Sequence, residues 1–273
     1  MKPEVDLMLN SSQVAKFMQK LGLSLGGEPT LDRLTIIVQR FLEHVPFQNL
    51  TMLIGPRRRP TWKEICGEML SGNGGLCTIR NPFLKVLLSQ QGFEASFVSA
   101  SMEKPDCHIG ILVKLNDVDY WVDVGNGYPY VEPYPLGSQT VVSHPFFDYR
   151  VIEKGGVWRV EHRFDNDSWR VNQSFVKRAV PYRFFDEMHE HHYQEIGWGP
   201  FLTGLRVNRW TAEGGFILRD KLATSLGVQI NIKSAEDLGR WIDQTFPGAP
   251  FGSKYTILNA WDAYTQNKQE LGQ

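Results

Sequence analysis

The chain is short of cysteine, of net charge and of long apolar runs, and each shortage excludes a class of protein. Only three cysteines occur in 273 residues, Cys66, Cys77 and Cys107, an odd number without repeated spacing. A disulfide framework is therefore not expected, and a reducing, cytoplasmic setting fits the thiols better. A formal net charge of −1 supplies no general attraction to nucleic acid or to an acidic membrane surface, so neither is expected as a partner. No stretch approaches the roughly 20 apolar residues of a membrane span. Residues 1–10 carry Glu4 and Asp6 and lack the apolar core of a signal peptide. What remains, 42% hydrophobic and 22% charged residues, is the make-up of an ordinary globular chain, long enough for one large domain or two to three small ones.

The hydrophobic period changes along the chain. Up to residue 93 it is helical: Val14, Phe17, Met18 and Leu21 follow Ser12, and Leu31, Leu34, Val38, Phe41, Leu42 and Val45 repeat on one face. A third helix is expected from Thr61 as N-cap through Met69 and Leu70, and a fourth from Cys77 to Gln91 with Pro82 in its first two turns. After Gly92 the period becomes two, in "EASFVSASME", "HIGILVKL", "VDYWVDVG", "GGVWRVEHRF" and "SWRVNQSF", as in an antiparallel sheet or barrel. From about Pro200, strands ("LRVNRW", "GGFILRD") mix with two helices. The first of these opens at Ser234 with Asp237 three residues on, a capping-box spacing, and turns Leu238, Trp241 and Ile242 inward. The expected fold class is α+β with three sub-domains: a helical bundle (1–93), a β-barrel (94–199) and an α/β lid (200–273).

Two stretches carry chemistry. In "GNGGLCTIRN", residues 72–81, three glycines precede Cys77 at the start of a helix. The glycines either simply end the preceding helix, with Cys77 as a small core residue, or present a nucleophile where backbone N–H groups favour thiolate. In "HIGILVKLNDVDYWVDVG", a two-residue turn at Asn116-Asp117 makes paired residue numbers sum to 233. Ile109, Ile111, Val113 and Leu115 then share one wholly apolar face with Val118, Tyr120, Val122 and Val124. A slip by one residue would bury charges, so the register is set. On the other face His108 and Asp123 become diagonal neighbours, about 7–8 Å apart, within reach of each other's side chains. A carboxylate there can hold an imidazole in one tautomer and stabilise its protonated form. Taken singly, Cys77 also reads as a core thiol, His108 as a satisfied polar residue and Asp123 as a turn acid.

"HVPFQNL" (44–50), "GGLC" followed by Asn81, "QGF", His108 and "WVDVGNG" (121–127) occur in this order and spacing. In this the chain resembles the arylamine N-acetyltransferases over nearly its whole length. The family's signatures are roughly (I/V)PFENL, RGGxCxExN and DVGFG. The resemblance implies a triad of Cys77, His108 and Asp123, and ping-pong acyl transfer from acetyl-CoA to an arylamine or hydrazine-like amine. It implies no bound cofactor and no metal. Phe47 matches the aromatic of the first motif and either lines the acceptor pocket or packs in the core; Gly125, Asn126 and Gly127 are further candidates for substrate contact.

Four positions depart from the family pattern: Gln48 for Glu, Asn73 for Arg, Ile79 for an acid and Asn126 for an aromatic. Loss of both charges at positions 48 and 73 suggests an ion pair replaced by an amide–amide hydrogen bond. With the triad residues kept, these changes bear on the substrate more than on the reaction. A relative taking a longer acyl group, from CoA or an acyl carrier protein, is the second reading; a non-catalytic binding protein or a thiol hydrolase is the third. Arg57, Arg58 and Arg59 read as a solvated loop, or as a grip for a phosphate or an acidic carrier. His189, His191 and His192 lack the HExxH spacing of a zinc site. Cys107 is expected on the opposite face of its strand from His108, as a structural thiol.

Overall fold

The computed structural model describes residues 7–165 and 167–272; Glu4 and Asp6 lie outside them. The N-terminal part holds α1 (Ser11–Lys20), α2 (Leu31–His44), β1 (Phe47–Gln48), α3 (Leu50–Ile54), α4 (Trp62–Ser71) and α5 (Cys77–Gln90). The caps are local sequence chemistry. Asn10, not Ser12, opens α1 in a capping box with Gln13, and Thr61 opens α4 in a capping box with Glu64. Helix α5 is buried almost all round, with eleven of its fourteen residues buried, so it runs through the middle of the domain. Its Phe83 meets Phe17 of α1 at a ring distance of 4.6 Å. The same core takes in Ile109, Ile111, Val113, Val122 and Val124, the apolar hairpin face.

The middle of the chain forms β2 (Glu94–Ser101), β3 (His108–Leu115), β4 (Val118–Val122), β5 (Tyr134–Pro135), β6 (Val142–His144), β7 (Phe147–Lys154), β8 (Val157–Arg163) and β9 (Arg170–Val180), followed by α6 (Asp186–Gln194). These eight strands make one antiparallel sheet in the order β5-β4-β3-β2-β9-β8-β7-β6. It curls into a half-barrel around Trp121, Tyr130, Tyr134, Phe147 and Tyr149. The β3–β4 pairs run from Ile111↔Val122 to Leu115↔Val118, the register that the apolar parity dictates. Asn116 in the turn is left-handed at φ 53°, a conformation asparagine tolerates.

The C-terminal part holds β10 (Arg206–Thr211), β11 (Gly214–Arg219), β12 (Leu222–Ser225), β13 (Val228–Asn231), α7 (Ala235–Thr245) and α8 (Lys254–Glu270). Its sheet, in the order β1-β10-β11-β12-β13, borrows a strand from the helical segment. Through that pairing, Phe47↔Asn208 and Gln48↔Val207, the two ends of the chain hold each other. Leu238 and Ile242 of α7 are fully buried, and Trp241 nearly so. Ser234 caps α7 at Asp237, whose carboxylate accepts from Lys233 N–H rather than closing the capping box. Among the described residues, no helix is long and apolar enough to cross a membrane.

Candidate active site

The three glycines before Cys77 each meet a separate demand. Gly72 ends α4 with φ 100°. At Gly74 a Cβ would lie 1.9 Å from the carbonyl oxygen of Pro46, and at Gly75 it would lie 2.7 Å from Cβ of Ile79. The turn is thus pressed between the Pro46–Gln48 segment and the first turn of α5, which only glycine permits. Cys77 emerges as the first residue of α5, buried at 3% exposure.

His108 opens β3, and Asp123 follows β4 directly. Nε2 of His108 stands 2.7 Å from Oδ2 of Asp123, with both side chains buried, and the Cys77 sulfur lies near enough to help raise the His108 pKa. Cys77, His108 and Asp123 are thus brought together as a candidate relay. Asp123 is held on every side. Oδ1 accepts from Asn81 Nδ2 and from Gly125 N–H, each at 2.9 Å. Oδ2 also accepts from Gln173 Nε2 at 3.0 Å. Asn81 further donates to the Ile109 carbonyl and accepts from Val124 N–H at 3.1 Å. One amide on α5 thus ties the helix to both strands of the hairpin.

Burial alone would discharge both members of the His108–Asp123 pair. For His108, burial is outweighed by the Asp123 carboxylate and the Cys77 sulfur, which raise its pKa well above the ordinary 6.5. For Asp123, burial is outweighed by His108 and by the hydrogen bonds from His108, Asn81 and Gln173, which hold it below the ordinary 3.8. A second cation lies near: Arg80 is 1% exposed, under the rings of Phe41 and Phe47 at 5.3 and 6.0 Å. Burial pushes its guanidinium down to about 9 while Asp123 works the other way.

A cavity of about 500 Å³ opens on this relay, with Cys77, His108, Gly125 and Asn126 in its wall, a size that suits a small organic substrate. Asn126 Nδ2 donates to Asn172 Oδ1 at 3.1 Å. Asn172 is the extra residue of a β-bulge, since Val160 pairs with Gln173 and Glu161 with Val171. The bulge aims Asn172 at the cavity while its neighbour Gln173 reaches Asp123.

Several sequence expectations are revised. Phe47 is 3% exposed and packs with Met52, Leu76, Tyr193 and Leu202; its ring backs onto Phe201 of the cavity wall at 6.1 Å without lining the cavity itself. Gly127, with φ 87°, backs onto Phe47, and its carbonyl accepts from Asn208 at 2.7 Å and Trp210 at 3.1 Å. Its role is packing as well. Gly125 does line the cavity, but its smallness serves Cys77, whose Cα a Cβ there would meet at 2.6 Å. The amide–amide bond between Gln48 and Asn73 does not form. Gln48 instead exchanges two hydrogen bonds with Thr51, at 2.9 and 3.1 Å, across the start of α3. Asn73 and Thr51 lie beside Glu68, an acid that the sequence patterns do not single out and whose pKa burial raises.

Cys107 lines the same cavity as Cys77, because it lies in the loop before β3 rather than within the strand. The three loop arginines are engaged within the chain: Arg57 with Asn267, Arg58 with Glu64, and Arg59 with Asp186 and the face of Tyr182. Among the described residues no group of His, Cys, Asp or Glu could hold a metal ion. Four further residues of the site, Gln173, Asn172, Trp198 and Phe201, carry no motif in the sequence, and the spacing of His192 speaks only against zinc.

Comparison with known proteins identifies the family and the fold. The N-acetyltransferase family model matches residues 30–247. An uncharacterised acetyltransferase of Bacillus subtilis is 23% identical over 69% of this chain and 78% of its own. Arylamine N-acetyltransferase 2 of the rat is 27% identical over 54% of each chain, so the match spans about half of that relative. Among solved structures, a Cys-to-Gln variant of the Mycobacterium smegmatis N-arylamine acetyltransferase superposes with a TM-score of 0.80. It is 21% identical, and the match covers 92% of this chain and 98% of that one. The Mycobacterium marinum enzyme in complex with CoA gives a TM-score of 0.79 at 18% identity, covering 92% and 99%. With the family model matched over most of its length, the chain belongs to the arylamine N-acetyltransferase family.

Proposed function

We propose that the protein moves an acyl group from a CoA thioester to an amine through an acyl-cysteine on Cys77. The observation that carries this reading is the buried Cys77–His108–Asp123 relay on the wall of a cavity of about 500 Å³. His108, held at Nε2 by Asp123, takes the thiol proton, and the thiolate attacks the thioester carbonyl. Backbone N–H groups at the start of α5 are placed to stabilise the oxyanion. The bond to the CoA sulfur then breaks, and His108 returns the proton to the departing thiol. In the second half the amine attacks the acyl-cysteine, gives a proton to His108, and Cys77 leaves and is reprotonated.

The donor is acetyl-CoA by kinship with the family, and one structural relative is a CoA complex. The acceptor is a small amine more polar than a plain arylamine, because Asn126 stands where the family has an aromatic. A reactive free thiol suits a reducing compartment such as the cytoplasm. The case for an acidic carrier protein weakens once Arg57, Arg58 and Arg59 are each engaged internally.

Initial rates measured at several fixed concentrations of acetyl-CoA and amine test the reading. Parallel double-reciprocal lines are expected; intersecting lines would contradict it by requiring both substrates to be bound together. Release of CoA without transfer to any amine would instead mark a thiol hydrolase.

A further inference from the structure

We propose that His192 is a specificity-determining residue of the acceptor subsite. Its imidazole hydrogen-bonds a polar group that the acceptor carries apart from its nucleophilic nitrogen. The inference rests on the acyl-transfer reading above and concerns what the second substrate looks like.

His192 lies on α6, is 5% exposed, and lines the cavity that Cys77 and His108 also line. Neither of its ring nitrogens has a hydrogen-bond partner among the described residues. Buried polar side chains in native proteins are nearly always paired, so an exception inside a substrate-sized cavity calls for a partner from outside the chain. The neighbouring histidines make the contrast plain. His191 is engaged with Glu195, and His189, which does not line the cavity, has Nδ1 on the Phe185 carbonyl and only Nε2 unpaired. Packing rather than hydrogen bonding holds the His192 ring: Phe201 and Trp198, both on the cavity wall, stand 4.8 and 5.3 Å from it. The ring is fixed, and its two unpaired nitrogens lie just behind the cavity surface, so an acceptor substrate that shifts Phe201 or Trp198 aside meets both a hydrogen-bond donor and a hydrogen-bond acceptor.

The protonation state narrows the ligand class. Burial, aided by the nearby charge of His108, pushes His192 down to about 3, so the ring is neutral, with one donor and one acceptor nitrogen. Oδ1 of Asn126, in the same cavity, also lacks a partner among the described residues and can only accept. A neutral donor–acceptor ring and an acceptor oxygen on the wall of one cavity match a hydroxyl or a carboxamide. It offers nothing to an alkyl substituent.

The test uses two pairs of acceptors with acetyl-CoA as donor: 4-aminobenzamide against 4-isopropylaniline, and 4-aminophenol against 4-methylaniline. In the wild type the polar member of each pair should have the higher kcat/KM. His192→Phe should lower the polar-to-apolar ratio by about tenfold, the worth of one hydrogen bond in a closed site. His192→Gln, which keeps a donor and an acceptor, should retain most of the preference. Because both acceptors are measured on the same enzyme, partial loss of folded protein cancels in the ratio. Should His192→Phe fail to fold, the wild-type preference and His192→Gln still decide. An unchanged ratio in His192→Phe, or no wild-type preference in either pair, overturns the inference. Formation of acyl-enzyme by the wild type, followed by intact mass, is scored separately: its absence overturns the acyl-transfer reading itself.

Discussion

Gly125 lies so close against Cys77 that a Cβ at position 125 would stand 2.6 Å from the Cys77 Cα and 2.7 Å from Nδ2 of Asn81. The loop that carries Asp123 therefore packs directly on the helix start that carries the thiol. Gly125→Ala should push the two apart. Overpacking of this kind costs about 1–3 kcal/mol, and a displacement of about 1 Å at a reacting group can cost ~10²-fold in rate. Acylation rate and thermal midpoint should both fall; an alanine variant with wild-type acylation would show that this contact does not position the relay.

Asp123→Asn keeps the shape but removes the charge that orients and stabilises protonated His108. Acylation should drop by at least ~10²-fold, while the variant stays folded. Its stability loss should depend on pH with a definite sign. Asp123 is held below 3.8, so its contribution is present above that value and lost as pH falls through the lowered one. His108 is raised above 6.5, so its contribution is complete below that value and lost as pH rises through the raised one. The difference in unfolding free energy between wild type and Asp123→Asn should be greatest between pH 3.8 and 6.5. A difference that grows steadily above pH 6.5 would contradict the buried ion pair.

Asn81→Ala should be more damaging to the fold than its size suggests. It leaves Val124 N–H and the Ile109 carbonyl without the partner they share, and takes one hydrogen bond from Asp123. At about 1–3 kcal/mol for each buried group left unpaired, denaturant unfolding should show a loss on the order of 3 kcal/mol. A loss under about 1 kcal/mol would mean that Asn81 does not fasten α5 to the hairpin.

Asn126→Phe should shift preference toward simple arylamines, because it restores apolar area and removes the unpaired Oδ1. The comparison is kcat/KM across an arylamine series, with acetyl-CoA as common donor. If the wild type already turns over apolar arylamines efficiently and the variant does no better, Asn126 does not set specificity.

The His108–Asp123 pairing and the helix start at Cys77 are legible in the sequence as two separate local constraints, which only the family resemblance joins into a triad. Apolar parity sets the β3–β4 register and so the face shared by His108 and Asp123, and the glycine turn marks the start of α5. His192 is not legible in this way. The residues of α6, "DEMHEHHYQ", read as polar, and although His189 and His192 are both buried, that His192 is the one on the cavity wall follows from Trp198 and Phe201 packing beside it. Gln173 and Asn172 are hidden by a bulge, which breaks the strict alternation by which strand faces are read. Phe47, for which the sequence leaves pocket and core open, packs beneath the site. Gln48 and Asn73 pair in sequence because both lack the charge usual at their positions, whereas in space Thr51 and Glu68 lie between them.

The central claim is that Cys77 carries the acyl group. The competing thiols differ in setting: burial pushes Cys66 up to about 11, while Cys107 shares the cavity wall. The direct measurement is peptide mapping by mass spectrometry after the wild type meets acetyl-CoA without amine, repeated after an amine is added. The account predicts one acetyl group on the peptide containing Cys77, lost when the amine is added as the amide product appears. Acetylation of Cys107 or Cys66 instead, or amide formation with no acetyl-enzyme at any time, would contradict it.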